Sequence, residues 1–181
     1  MWVECASAAH CPMTSPVCDA TARTCRGCAT DGEGASQICD ETAGLCIAES
    51  VVLYAAPNGS STSACSQLAP CSIERAFAVS DNTRNTIKLT AGVYDASITV
   101  ANKRISVVAS GATISSSSAS TLTVHDNASL TVEGGTIVNS ATSALGAVVA
   151  RSTNNVDVPE LVLRDSTVQS LKLGFTSRRR R

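Results

Sequence analysis

Short runs of alternating apolar and polar residues recur through the second half of the chain. Ile98-Thr99-Val100, Leu122-Thr123-Val124 and Leu130-Thr131-Val132 each place apolar side chains at every second position. Since successive side chains of a strand point to opposite faces, each run predicts a strand with one buried and one solvent-facing side. The sequence after Val51 therefore predicts a succession of short β-strands.

These runs belong to a longer repeat. Three stretches align, each with a β-rich run, a polar turn containing Asn, a second run and a bend that leads to Thr-Ile or Thr-Val. The first runs begin at Ile98, Leu122 and Val148, a spacing of 24 and then 26 residues. A period of this length with several strands indicates a stacked solenoid. Recurrence of the same turn disfavours the alternative, an antiparallel sandwich. The second runs begin at Ile105, Leu130 and Leu161.

The amino-acid composition is consistent with a stacked solenoid and disfavours nucleic acid and membrane as partners. Hydrophobic residues make up 44% of the 181 residues and aromatic residues only 3%, so the core is aliphatic. The net charge is −1, and no basic stripe precedes the four arginines at residues 178–181. No apolar run approaches the ~18 residues that a membrane span requires. We therefore expect neither a nucleic-acid partner nor a membrane span.

Seven of the nine cysteines lie within the first 46 residues. They fall in two similar copies, Cys5 to Cys25 and Cys28 to Cys46, and Gly34 stands where the second copy would have its second cysteine. This density predicts disulfides and an oxidising compartment. The spacing Cys25-Arg26-Gly27-Cys28 leaves zinc or redox chemistry as alternatives, without the second C-x-x-C or histidine that zinc sites need. The disulfide candidates are Cys5, Cys11, Cys18, Cys25, Cys28, Cys39, Cys46, Cys65 and Cys71.

Two pairing patterns fit the duplicated framework. If the first cysteine of a copy pairs with the third and the second with the fourth, Cys46 lacks a partner. If neighbours in sequence pair instead, Cys28 lacks one. We expect the first pattern, because interleaved bridges hold a module with little core better than two local loops do. A further bridge between Cys65 and Cys71 is expected to staple the loop between them.

The segment from Tyr54 to Tyr94 resembles a known family. Tyr54-Ala-Ala-Pro-Asn-Gly59, Ala69-Pro-Cys-Ser-Ile73 and Thr90-Ala-Gly-Val-Tyr94 are similar to the entry of right-handed parallel β-helix proteins of the pectin-lyase-like superfamily. The cysteine-rich copies resemble repeats that precede such helices in secreted or surface proteins of myxobacteria and related bacteria. The resemblance implies an all-β fold, a right-handed parallel β-helix of about three rungs behind a disulfide-rich module. It also implies a short capping helix.

The residues themselves predict that helix and a division of the chain. Ile73, Ala76, Phe77 and Ala78 give an apolar stripe near helical spacing, and Ser72 is placed to cap it. We expect a disulfide-rich tandem repeat at 1–49, the β-helix at 50–177 and a basic tail at 178–181. No signal peptide is visible at residues 1–4, and the strand pattern breaks off after 171–175. We therefore expect a fragment of a longer extracellular or cell-surface protein.

Five polar residues are candidates for a ligand face. In the aligned copies they fall in the turn between the first and second strands, where two interpretations stay open: a stack of polar groups on one edge, or ordinary turn residues that face water. We favour the second, because polar turn residues generally face water. The resemblance implies enzymes that act on acidic polysaccharides, but no repeated carboxylate pair is present for that chemistry. The candidates are Lys103, Arg104, His125, Asp126 and Arg151.

The expected function is a non-catalytic structural or binding protein, outside the cell or on its surface. Its expected partners are polysaccharides or cell-surface proteins, and we expect no catalytic residue, metal or cofactor. The alternative is a polysaccharide lyase or glycoside hydrolase of the same superfamily, with an active site outside or only partly within this chain.

Overall fold

The computed structural model describes residues 5–12, 14–142, 146–152 and 158–170. The chain divides into two compact units, with the boundary between Val52 and Leu53. The expected basic tail at 178–181 and the strand expected from Leu171 onward lie outside the described residues. Each unit has a separate architecture.

The first unit contains two hairpins that share one turn design. The turns begin at Asp19 and Asp40, whose Oδ1 atoms each accept two backbone N–H groups. They end at residues with positive φ, Arg23 at 56° and Gly44 at 66°. The two copies therefore encode the same aspartate-capped turn. The elements are 3-10 helices at Ala8–His10 and Glu49–Val51 and strands β1 (Val17–Asp19), β2 (Thr24–Arg26), β3 (Cys39–Asp40) and β4 (Leu45–Cys46).

Three disulfide bridges hold these hairpins. In the first copy the first cysteine bonds to the third and the second to the fourth; in the second copy only the first and third are bridged. Cys46 carries a free thiol. Such bridges restrict the unfolded chain and offset the small apolar core of a unit this size. The bridges join Cys5 to Cys18, Cys11 to Cys25 and Cys28 to Cys39.

In its described residues, the second unit is mostly β, with one α-helix. Its strands are short, as the alternation predicts. They are β5 (Val52–Ser60), β6 (Thr86–Leu89), β7 (Gly92–Asp95), β8 (Ile98–Ala101), β9 (Arg104–Val108), β10 (Ala112–Ser116), β11 (Leu122–His125), β12 (Ser129–Glu133), β13 (Thr136–Asn139), β14 (Val148–Arg151), β15 (Glu160–Arg164) and β16 (Thr167–Ser170).

These strands form three stacked parallel sheets. Sheet A has the order β7-β10-β13-β16, sheet B the order β8-β11-β14, and sheet C the order β5-β6-β9-β12-β15. The ladders from β6 to β16 are all parallel. The antiparallel sandwich is therefore wrong. Each sheet takes one strand from every aligned copy, so strands that follow one another within a copy lie in different sheets.

The register of sheet B follows the sequence repeat. Leu122 pairs with Ile98 on one side and with Val148 on the other. In sheet C, Leu130 likewise pairs with Ile105 and Leu161. The aligned runs predict these same starting residues. The repeat is therefore confirmed, because equivalent positions of successive copies are ladder partners.

The inward rows are aliphatic. Leu122, Leu130 and Ile137, one from each sheet, are fully buried at the centre of the unit. On the outer faces, Thr99 is exposed and Thr131 half-buried. Small β-branched and aliphatic side chains stack on their equivalents in the next strand, which explains why the chain needs few aromatic residues.

Helix α1 (Ile73–Val79) packs against β6 and β8. The Oγ of Ser72 accepts the N–H of Arg75 at 3.3 Å, so Ser72 is the predicted N-cap. Ile73, Ala76 and Phe77 are buried. Ala78 is exposed, which corrects the predicted stripe: it follows Phe77 by only 100° around the helix and faces away from the sheet.

The first strands of the unit are fixed by a buried bridge and a buried tyrosine. Cys65 and Cys71 form a disulfide that is completely shielded from solvent just before the helix. The hydroxyl of Tyr94 lies 2.9 Å from the C=O of Ala55 and 2.8 Å from that of Thr90. The Tyr54 to Tyr94 segment thus ties β5, β6 and β7 together through groups that are distant in sequence.

Candidate ligand-binding edge

The polar edge is where the strands of sheet B end and those of sheet C begin. It consists of two rows of side chains. Within each row, residues in register on neighbouring parallel strands lie about 4.8 Å apart. We define it by Arg104, His125, Asp126, Ser129, Arg151 and Glu160.

The first row lies at the end of sheet B. Ala101, His125 and Arg151 are consecutive partners on β8, β11 and β14. His125 is half-buried, with 21% of its side chain exposed, and Arg151 is exposed. The imidazole and the guanidinium therefore come from neighbouring strands and stand side by side on one surface.

A left-handed turn places the next residue of the edge. Asn102 and Asp126 follow the last residues of β8 and β11, with φ of 53° and 57°. Asn and Asp tolerate this conformation better than other side-chain-bearing residues do. The turn brings Asp126 Oδ2 to 2.7 Å from His125 Nδ1. When the carboxylate is ionised it holds the proton on Nδ1, so Nε2 of the neutral ring is an acceptor.

The second row lies at the start of sheet C. Ser129 is the ladder partner of Arg104 on β9 and of Glu160 on β15. Its hydroxyl donates to Glu160 Oε2 at 3.0 Å. Arg104 and Glu160 are exposed. This row adds a guanidinium, a hydroxyl and a carboxylate to the edge, again one group from each of three neighbouring strands.

Lys103 belongs to a different environment. Its Nζ donates to the C=O of Phe77 at 3.1 Å and of Ala78 at 3.4 Å. These are carbonyls of the last turn of α1, where a cation satisfies backbone acceptors and complements the helix dipole. The structure thus brings His125, Asp126 and Arg151 together, places Arg104 in the adjacent row, and directs Lys103 to the helix.

Sequence reasoning did not select Ser129 or Glu160 for this edge. Ser129 begins the second strand and does not lie in the turn, so the turn pattern does not point to it. The signal for both was their common position before the apolar runs Leu130-Thr131-Val132 and Leu161-Val162-Leu163, which are equivalent in the repeat. Equivalent positions in a stacked repeat lie in one row.

The cysteines of the first unit are engaged as disulfides. The Sγ atoms of Cys5, Cys11 and Cys18 lie within 4.8 Å of one another, but all three belong to bridges. Thiolate, not disulfide sulfur, is the zinc ligand. Cys25 and Cys28 bond to different partners, so they do not form a redox pair.

A salt bridge connects the second copy to Arg26, the last residue of β2. The Arg26 guanidinium makes two hydrogen bonds to Glu33, the shorter at 2.5 Å, and the N–H of Ala29 donates to the same carboxylate at 2.7 Å. The Arg26 hydrogen bond, followed by that of Ala29, lowers the pKa of Glu33 to about 2. Partial burial, with a smaller contribution from the Glu33 charge, raises the pKa of the nearby Cys46 thiol.

Comparisons of the chain with protein-family models, curated proteins and solved structures give no match. Within the described ranges, no helix is long and apolar enough to cross a membrane. The polar edge and the disulfides are therefore the features of the chain that bear on its function.

Proposed function

We propose that the chain is a non-catalytic extracellular or cell-surface protein that binds carbohydrate through the polar edge. In this proposal the second unit is a right-handed parallel β-helix of the pectin-lyase-like type, and the hairpins form the cysteine-rich module of a secreted bacterial protein. The stacked parallel sheets and the entry segment from Tyr54 to Tyr94 support that assignment.

The observation that carries the binding proposal is the regular spacing of donors and acceptors along the edge. His125 and Arg151 stand on adjacent strands, as do Ser129 and Glu160. A ligand with hydroxyl groups at intervals near the strand spacing of about 4.8 Å meets a comparable set of partners at each step. Neutral sugars need such hydrogen bonds, and guanidinium groups also suit acidic sugars.

The disulfides support a location outside the cytosol. Four bridges occur in a chain of 181 residues. Disulfides persist in oxidising compartments and are reduced in most cytosols. Two of the cysteines, Cys65 and Cys71, are wholly buried in the second unit, so both units would depend on an oxidising environment during folding.

The test is a glycan array probed with the oxidised full chain, followed by titration of any polymer that is retained. The proposal predicts saturable binding to at least one surface polysaccharide without a change in the polymer's length. Absence of retention across neutral and acidic polymers would reject it.

A second candidate is favoured by one contact, the 2.7 Å pair of His125 and Asp126. A carboxylate that holds a histidine in one tautomer is the arrangement of a general base with its orienting group. Arg151 in the neighbouring strand would stabilise a developing negative charge. This candidate predicts release of unsaturated or reducing sugars that His125→Gln abolishes. Inactivity on a panel of uronate-containing and neutral polymers would exclude it for this chain.

A further inference from the structure

The free thiol of the second copy lies beside a disulfide. Cys46 on β4 is the direct ladder partner of Cys39 on β3, and Cys39 is bonded to Cys28. Directly opposite residues of an antiparallel pair have Cβ atoms roughly 4.5–5.5 Å apart. A disulfide needs Cβ atoms at about 3.5–4.5 Å, so a small closure of the hairpin suffices to join Cys39 to Cys46.

The first copy has two disulfides where the second has one. There the equivalent pair, Cys18 and Cys25, is also in register, but both cysteines are committed to bridges. In the second copy no cysteine faces Cys46 from residue 34, and its thiol donates only a weak hydrogen bond to the C=O of Glu33 at 3.7 Å. The Cys46 thiol is therefore a free nucleophile, once deprotonated, next to the Cys28–Cys39 disulfide that it can attack.

We propose that Cys28, Cys39 and Cys46 form an intramolecular thiol–disulfide exchange switch. The Cys46 thiol loses its proton to solvent, and its thiolate attacks Sγ of Cys39. The bond between Cys28 and Cys39 breaks as that between Cys39 and Cys46 forms. Cys28 leaves as a thiolate and takes up a proton. The number of disulfides is unchanged, so no oxidant or reductant is consumed.

The exchange changes what the bridge holds. The Cys28–Cys39 bridge ties the start of the second copy to its hairpin across 11 residues of sequence. A Cys39–Cys46 bridge joins only the two strands of the hairpin, β3 and β4, and leaves the segment that begins at Cys28 without a disulfide. That segment includes Glu33, which binds Arg26 at the end of β2, directly after the first copy. The switch thus loosens the connection between the two copies.

Partial burial of Cys46, with a smaller effect of the Glu33 charge, determines how readily its thiol ionises for exchange. Glu33 faces the thiol with its carboxylate bonded to Arg26, and Asp40 and Asp31 are tied to backbone N–H groups of β3 and its turn. Partial burial raises the pKa of Cys46, with Glu33 adding to the effect. Only the thiolate attacks, so exchange is slow at neutral pH and accelerates as pH rises.

Disulfide mapping of the full chain tests the switch. The protein is incubated without reductant at about pH 5 and about pH 9, quenched in acid, alkylated and digested for mass spectrometry. We expect alkylated Cys46 at the lower pH. At the higher pH the Cys39–Cys46 peptide and alkylated Cys28 should increase at least about fivefold. Recovery of the Cys28–Cys39 peptide alone at both pH values would overturn the proposal.

Two variants separate this exchange from general scrambling. Cys46→Ser should keep the Cys28–Cys39 bridge at both pH values, and its loss in that variant would contradict the assignment. Cys28→Ser should fold with a Cys39–Cys46 bridge and no free thiol; two free thiols there would show that the hairpin cannot close. A Cys28–Cys46 product, or one that grows with protein concentration, would also contradict the proposal.

Discussion

A Cβ atom added to Gly34 would lie 2.5 Å from Sγ of Cys46 and 2.9 Å from its Cβ. The backbone of Gly34 has a φ of +74°, whereas Cys11, the equivalent residue of the first copy, has a φ of −92°. The two copies therefore differ by more than one side chain. The loop of the second copy has closed onto Cys46, and glycine is the residue that fits there.

Replacement of Gly34 by alanine should destabilise the second hairpin by about 1–3 kcal/mol, because the new methyl group meets the Cys46 side chain. Hydrogen exchange of the peptide spanning 28–46 measures the local opening free energy. Gly32→Ala is the matched control: Gly32 also has a positive φ, +99°, but no atom within 4 Å of an added Cβ. Equal effects of the two substitutions would contradict the contact.

The Arg26–Glu33 pair should make the first unit sensitive to acid. The guanidinium lowers the pKa of Glu33 to about 2 from an ordinary value of 4.5. A carboxyl with a lowered pKa in the folded state stabilises it above the ordinary pKa and ceases to do so as pH falls toward the lower value. We expect protection of residues 26–33 to decline between pH 4.5 and about 2, measured by hydrogen exchange. Glu33→Gln should flatten this decline, and an unchanged pH profile would argue against it.

Lys103 should contribute to stability rather than to binding. Lys103→Met removes the cation from the C=O groups of Phe77 and Ala78 and should cost about 1–2 kcal/mol in chemical unfolding. Arg104→Met, one residue later in the exposed row, is the control and should change stability by less than about 0.5 kcal/mol. A larger loss for Arg104 than for Lys103 would reverse the assignment.

A buried asparagine should be among the most sensitive positions of the second unit. Asn139 donates to the C=O of Ala119 and to Thr121 Oγ1 and accepts the N–H of Ala141. Asn139→Ala removes all three hydrogen bonds, although Thr121 Oγ1 still donates to the C=O of Val138, and should cost about 2–3 kcal/mol. Gln169→Ala, exposed in the same sheet, serves as the control. Similar unfolding midpoints for both variants would show that the network contributes little.

The sequence was most informative where the structure is repetitive. The ladder pairing of Ile98, Leu122 and Val148 follows directly from the period of the alternating runs. The cap at Ser72 also follows from local chemistry, because the N–H groups it serves lie within three residues. Such features depend on neighbours in sequence or on exact equivalence between copies, so one sequence suffices to predict them.

Contacts between distant segments were not predictable in the same way. Lys103 lies in the turn that the repeat predicts, yet its amine reaches carbonyls 25 and 26 residues earlier. Tyr94 contacts Ala55 across 39 residues. The sequence places the polar edge at a turn but does not identify all of its residues. Glu160, for example, joins the edge through its ladder partner Ser129. Which side chains meet depends on how the sheets are stacked.

The most direct test of the central claim compares polysaccharide retention by the wild-type chain and by the double variant His125→Ala/Arg151→Ala. Arg75→Ala, which removes a positive charge from the exposed side of α1, is the control. The proposal predicts that wild type and control bind the same polymer with similar affinity, that the double variant loses at least about tenfold, and that no sugar is released. Equal retention by all three proteins, or cleavage of the polymer by the wild type, would contradict it.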